Sequence, residues 1–213
     1  MKKIKSYLLF TSWRYKLGIF LILPTAVLAV GLFWKHFFSI PGYGHTMVAA
    51  MVFFEILTDQ GVFAGIQSKR GYKLDFLKTS PSGSKILCRG LAGDLIRRLL
   101  TAALCVGVSG AMGILTMRSG WDRCLGVLLV IYVTEVLALF ISRYTRSVTL
   151  CIYTAYGGIV AGEILFTVIN AVSLPGLWLA EGLLALAAAA ISVLTVRIAM
   201  KKWRQTFFDT QED

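Results

Sequence analysis

Six continuous apolar runs, each close to the length needed to cross a bilayer, constrain this chain more than any other feature. They cover residues 17–34, 46–66, 99–117, 125–142, 148–172 and 176–198. A helix rises about 1.5 Å per residue, so ~20 apolar residues span the hydrocarbon layer. The runs do not alternate with period two, which argues against strands. Composition agrees: 57% of residues are hydrophobic and 15% charged, whereas soluble domains carry roughly 25% charged residues. The expected fold class is an all-α integral membrane protein with six transmembrane helices, a single domain over 1–213.

The distribution of basic residues sets the orientation. The net charge of +11 would suit nucleic acid if it were gathered on one patch. Instead, nineteen of the 22 Lys and Arg fall in 1–16, 67–98, 143–147 and the tail from Arg197. Only Lys35, Arg118 and Arg123 lie in the alternate connections. The positive-inside rule then places both termini in the cytoplasm, with no nucleic-acid partner implied and the lipid bilayer as the surroundings. Trp34, Trp121 and Trp178 fall at the expected outer boundary, Trp13 and Trp203 at the inner one, where indole rings prefer to sit. The leader 1–16 is basic with apolar residues at near-helical spacing, and reads as an interfacial helix. The first run lacks a cleavage pattern and is expected to remain as a span.

Acidic residues inside apolar runs are costly and mark contact with protein or a wet cavity. Glu55 and Asp59 in the second run share one helical face at i,i+4 spacing. Glu135 in the fourth run and Glu163 in the fifth are further isolated acids, and Glu181 stands at the outer start of the sixth. The first four are candidate polar residues of a translocation path, or else structural polar contacts. Gly107, Gly110 and Gly113 in the third run, and Gly158 and Gly162 in the fifth, are spaced for close helix packing. His36 and His45 lie in a short connection without acidic or thiol companions, so neither metal binding nor catalysis is expected. Cys88, Cys105, Cys124 and Cys151 are scattered and imply no disulfide. The Ser-Leu-Pro-Gly turn after the fifth run leaves open an earlier end near Gly162, followed by a short re-entrant piece.

The densest positive charge lies in the middle of the chain, at 67–98. Ser80 followed by Pro81 suits a helix start. Beyond it Leu87, Leu91 and Leu95 recur every four residues with Arg89, Arg97 and Arg98 beside them, an amphipathic helix leading into the third run. Before it, Leu74 and Leu77 point one way with Phe76 nearby, while Lys73, Asp75 and Lys78 are polar. This shorter piece reads either as a membrane-surface helix or as a projection that docks on a partner.

In this arrangement the chain resembles the permease subunits of type-2 ABC exporters. The resemblance rests on six spans, cytoplasmic termini, and a first cytoplasmic loop with Gly71, Leu74, Leu77, Pro81, Ile86, Leu87, Arg89 and Gly90. Gly83 stands where that family has a serine, and Lys69-Arg70 where an acidic residue often precedes the glycine. The resemblance implies a coupling helix around Leu74, Phe76, Leu77, Lys78 and Pro81, seated on a cytoplasmic ABC ATPase. It also implies a second permease chain, identical or related, in a bacterial plasma membrane. ATP and Mg would sit on the ATPase, because this chain has no G-x-x-x-x-G-K-[ST] loop and no cofactor of its own. The implied role is export of a hydrophobic or amphipathic substrate, a peptide being the guess. The runner-up is a substrate-binding membrane subunit of an energy-coupled vitamin importer, against which the long basic loop counts. A membrane enzyme is not expected, since no span holds a histidine. An immunity-type membrane protein without transport stays open.

Overall fold

The computed structural model describes residues 11, 13–37, 50–51, 53–55, 80–111, 123–144, 148–171 and 173–205. Almost all of them are helical and none is in a strand. The first helical stretch comprises α1 (Trp13–Leu17), a π-helical turn (Gly18–Ile22) and α2 (Leu23–Phe37). Then follow α3 (Gly83–Ala111), α4 (Cys124–Tyr144), α5 (Val148–Ala171) and α6 (Leu174–Gln205). Residues 50–51 and 53–55 are helical as well and belong to the second apolar run.

Among the described residues, four segments are long and apolar enough to cross a membrane: Trp13–Phe33, Cys124–Ile141, Ile152–Ile169 and Pro175–Lys201. They match the first, fourth, fifth and sixth runs. Their outward faces carry large apolar side chains such as Phe20, Ile152, Ile164, Leu179 and Leu186, all exposed. A water-soluble surface rarely carries so much contiguous apolar area, whereas lipid tails accept it without cost. Residues 99–111 of the third run lie within α3, whose 29 residues also include Lys85, Arg89, Asp94, Arg97 and Arg98; 112–117 lie outside the described residues.

Local chemistry explains the helix breaks. Pro24 has no N–H to give to the turn before it. The chain answers with the wider turn Gly18–Ile22, closed by Leu23 N–H donating to the Gly18 carbonyl. On the exposed side of the same stretch Thr25 Oγ1 donates to the Leu21 carbonyl at 2.7 Å. The π turn continues directly from Trp13–Leu17, so those residues are continuous with the first span; 1–10 and 12, the rest of the expected interfacial leader, lie outside the described residues.

Helix α3 opens where serine and proline announce it, slightly later than expected. Gly83 N–H donates to the Ser80 carbonyl at 3.0 Å, and Ile86 N–H to the Ser82 carbonyl at 3.0 Å, so the exposed Pro81 sits in the turn and Ser82 is the capping position. Helix α5 runs unbroken through Gly162 to Ala171, so the fifth span does not end early near Gly162. Ser173 caps α6, its carbonyl accepting from Leu177 N–H at 2.9 Å, so the Pro-Gly pair becomes the first turn of the last helix.

Helix α4 is the axis of the assembly. It packs against α3, α5 and α6, while α3 also meets α2 and α6. The main core joins Leu23 and Val27 of α2, Ala102 and Val106 of α3, Val130 and Ile131 of α4, and Ile169 of α5. A second cluster, toward the other side of α4, joins Leu95, Tyr132, Val136 and Ala188.

Candidate functional site: a buried charge cluster

Asp94, Arg97 and Arg98 sit at i, i+3 and i+4 on α3, so one helical face carries all three. The same face carries the stripe Leu87, Leu91 and Leu95, all buried. Across from it stand the helical residues 50–51 and 53–55, of which Met51 and Glu55, at i,i+4, are buried and Phe53 and Phe54 exposed. Packing the two faces together therefore drives one acid and a short acidic-basic triplet into the same interior space.

The charges there are fully interlocked. Arg97 grips Glu55 with a two-pronged contact, Nη1 to Oε1 at 2.6 Å and Nη2 to Oε2 at 2.7 Å. Arg98 Nη1 donates to Glu55 Oε2 as well. The second carboxylate closes the loop: Arg98 Nε reaches Asp94 Oδ2 at 3.0 Å and Arg97 Nη2 reaches Asp94 Oδ1 at 3.3 Å. Glu55, Asp94 and Arg98 are completely buried and Arg97 is 3% exposed. Removing an ion from water costs several kcal/mol even after relaxation. Two positive and two negative groups in reciprocal contact offset that cost only because each is held in planar, paired geometry.

Glu135 lies beside this cluster on α4 and is treated differently. It is wholly buried, yet among the described residues neither carboxyl oxygen has a hydrogen-bond partner. Glu55, Arg98, Arg97 and Asp94 all lie within electrostatic range of it, Arg98 acting more strongly than Arg97. The thiol of Cys105, also buried, is close enough to both Glu135 and Glu55 to feel their charge. The neighbouring polar groups of α4 are satisfied within the bundle. Thr134 Oγ1 donates back to the Val130 and Ile131 carbonyls at 2.8 and 2.9 Å. Tyr132 and Ser192 bond across to α6 at 2.8 Å, Ser192 itself donating to the Ala188 carbonyl.

Of the residues that sequence reasoning singled out, Glu55 and Glu135 come together here. Glu163 does not join them; it is half-buried on α5, where its carbonyl accepts from Thr167 Oγ1 at 2.9 Å. Pro81 stands exposed at the root of α3. Asp59, Leu74, Phe76, Leu77 and Lys78 lie outside the described residues. Arg97 and Arg98, read from the sequence as the polar edge of an amphipathic helix, are instead its most deeply buried charges. The signal that could have found them is the mismatch itself: Glu55 is an acid in an apolar run, and Asp94-x-x-Arg97-Arg98 offers its complement at helical spacing.

The cluster contains no nucleophile held by a base, and among the described residues no three His, Cys, Asp or Glu side chains gather as a metal site would. What the arrangement does chemically is tie two helices together by charge. Comparison of the chain with family models, curated proteins and solved structures gave no match.

Proposed function

We propose that this chain is the transmembrane permease subunit of an ABC exporter. In this reading it has six spans and cytoplasmic termini in a bacterial plasma membrane. A separate cytoplasmic ATPase, carrying ATP and Mg, drives it, and a second permease chain completes the path. The exported substrate is hydrophobic or amphipathic, with a peptide as the preferred class.

The observation that carries this reading is where the charge cluster lies. Glu55 precedes the basic segment 67–98, and Asp94, Arg97 and Arg98 lie at its far end. The bidentate contact between Arg97 and Glu55 thus clamps the two arms of the segment at their base. A lever transmits a push only if its root does not give. Here a displacement applied around Leu74, Phe76, Leu77, Lys78 and Pro81 would have to break buried ion pairs or move both helices together. Breaking a buried pair costs about 3–5 kcal/mol, so moving the helices is the easier response. From α3 that movement has a direct route into α4, against which α3 packs. The absence of a phosphate-cradling loop in the sequence supports an external source of energy. Apolar outward faces on α2, α5 and α6 support multi-pass insertion.

Leu77→Asp in the full chain tests the lever. Affinity purification from native membranes should recover a stoichiometric ATPase with the wild-type chain and lose it, or lose ATP-dependent transport, with Leu77→Asp, while membrane insertion is unchanged. An ATPase that stays bound with unaltered transport overturns the coupling assignment. Recovery of a scaffold protein between the chain and the ATPase would move the reading to an importer subunit.

A further inference from the structure

Glu135 has no part in the clamp, and its surroundings raise a separate question. The residues on either side of it along α4 (Val133, Thr134, Val136 and, one turn on, Ala138 and Leu139) are all buried. A carboxylate in such a place, with no hydrogen-bond donor on either oxygen among the described residues, would carry a heavy desolvation cost. Structural acids avoid that cost by pairing, as Glu55 does. Glu135 has been left without a pair although two guanidinium groups stand within electrostatic range.

We propose that Glu135 is a proton-binding site inside the bundle, and that its occupancy decides whether Arg98 stays with Glu55 or turns toward α4. A proton is the ligand that this geometry fits. A hard metal ion asks for about six oxygen ligands, and beside two guanidiniums it would be repelled. The charged groups facing Glu135 are Glu55 from the helical residues 53–55 and Asp94, Arg97 and Arg98 from α3. Cys105 of α3 and Tyr132 of α4 itself are the titratable neighbours. None of the charged groups acting on it comes from α5 or α6 among the described residues.

The step is an acid dissociation. The O–H bond of the carboxyl breaks, its electron pair stays on the oxygen and the proton leaves to water. Glu135 then becomes a second carboxylate competing for the donors of Arg98, of which Nη1 now serves Glu55 and Nε serves Asp94. The helical residues around Glu55 and α4 thus contend for one side chain of α3, and the proton chooses between them. A buried acid whose charged form lacks a donor where it stands, within electrostatic range of an arginine shared by two other acids, is a two-state element of the kind that couples proton binding to helix position. This holds whichever partner drives the chain, so it stands or falls apart from the exporter reading.

The test uses the full chain in lipid nanodiscs. Infrared spectra of the wild type at neutral pH should show a carbonyl stretch from a protonated carboxyl free of hydrogen bonds. That band should persist in Glu163→Gln, vanish in Glu135→Gln, and disappear from the wild type in alkali. Glu135→Gln should keep the wild-type helix content, because the amide copies the shape of the neutral acid. Solid-state NMR of the wild type with carbon-13 glutamate gives an independent reading that needs no variant: one of the five glutamate side chains should carry the shift of a neutral carboxyl. A wild type in which every glutamate is ionised at neutral pH overturns the proposal, as does a neutral-acid band that survives in Glu135→Gln.

Discussion

The two stretches of α4 that carry Gly126 and Glu135 lie roughly 13 Å apart along the helix, and they hold their neighbours by opposite means. At Gly126 the packing depends on the absence of a side chain. A Cβ there would stand 2.9 Å from Ile169 Cγ2 and 3.1 Å from Glu181 Oε1, so α5 and α6 close onto bare backbone. Arg123, just before α4, fastens the same end by donating Nη1 to the Ile169 carbonyl at 2.7 Å. At Glu135 the neighbours are charged, and the helix meets a cluster of two arginines and two acids. Where space decides, the contact is rigid and has one solution. Where charge decides, partners can be exchanged, and the same part of the fold can hold two arrangements.

The largest expected effect is at the charged end. Glu55→Ala leaves Arg97 and Arg98 facing Asp94 alone, with positive charge in excess in a buried space, and should lower unfolding stability by about 3–5 kcal/mol. Denaturant unfolding of the detergent-solubilised chain measures it. A smaller loss than at Gly126 would break the comparison, because the ion cluster would then be a bystander to packing. Gly126→Leu comes next, at about 1–3 kcal/mol, from forcing a branched side chain against Ile169. Gly107→Ala on α3 is its control, since a Cβ there meets nothing within 4 Å; the same assay should find it neutral or slightly stabilising, as alanine is the better helix former. The smallest change belongs to Arg89→Gln. Arg89 is exposed on the same helix as Arg97 and Arg98, and its loss should shift stability by about 0.5 kcal/mol or less. A large effect at Arg89 would mean that burial does not separate the arginines of α3.

That last contrast shows what could be read beforehand. The stripe Leu87, Leu91 and Leu95 was legible because i,i+4 periodicity marks one face of a helix whatever lies opposite. So was the turn at Ser80–Pro81, whose cap and proline act within a few residues. Arg97 and Arg98 were misjudged as an outer edge, because their surroundings depend on Glu55, 42 and 43 positions away. Of the glycine series in the third run, Gly107 stands in open space, whereas a tight approach among the described glycines falls at Gly126, which no series marks. A glycine permits closeness, but only the neighbour that arrives makes use of it.

Hydrophobicity showed the same limit at the level of whole helices. The segments Cys124–Ile141 and Pro175–Lys201 are both apolar enough to span a membrane, yet 67% of the first and 17% of the second is buried inside the protein. In lipid, an outward leucine and an inward one are equally content. The sequence by itself determined that the chain is helical and apolar enough for a membrane, and that α3 opens beside Ser80–Pro81, because length, periodicity and caps are local properties. Only the tertiary structure decided which helix stands at the centre, which arginines are buried and which acid is left without a partner. Those follow from long-range contacts, and no short-range pattern encodes the distance between two side chains forty residues apart.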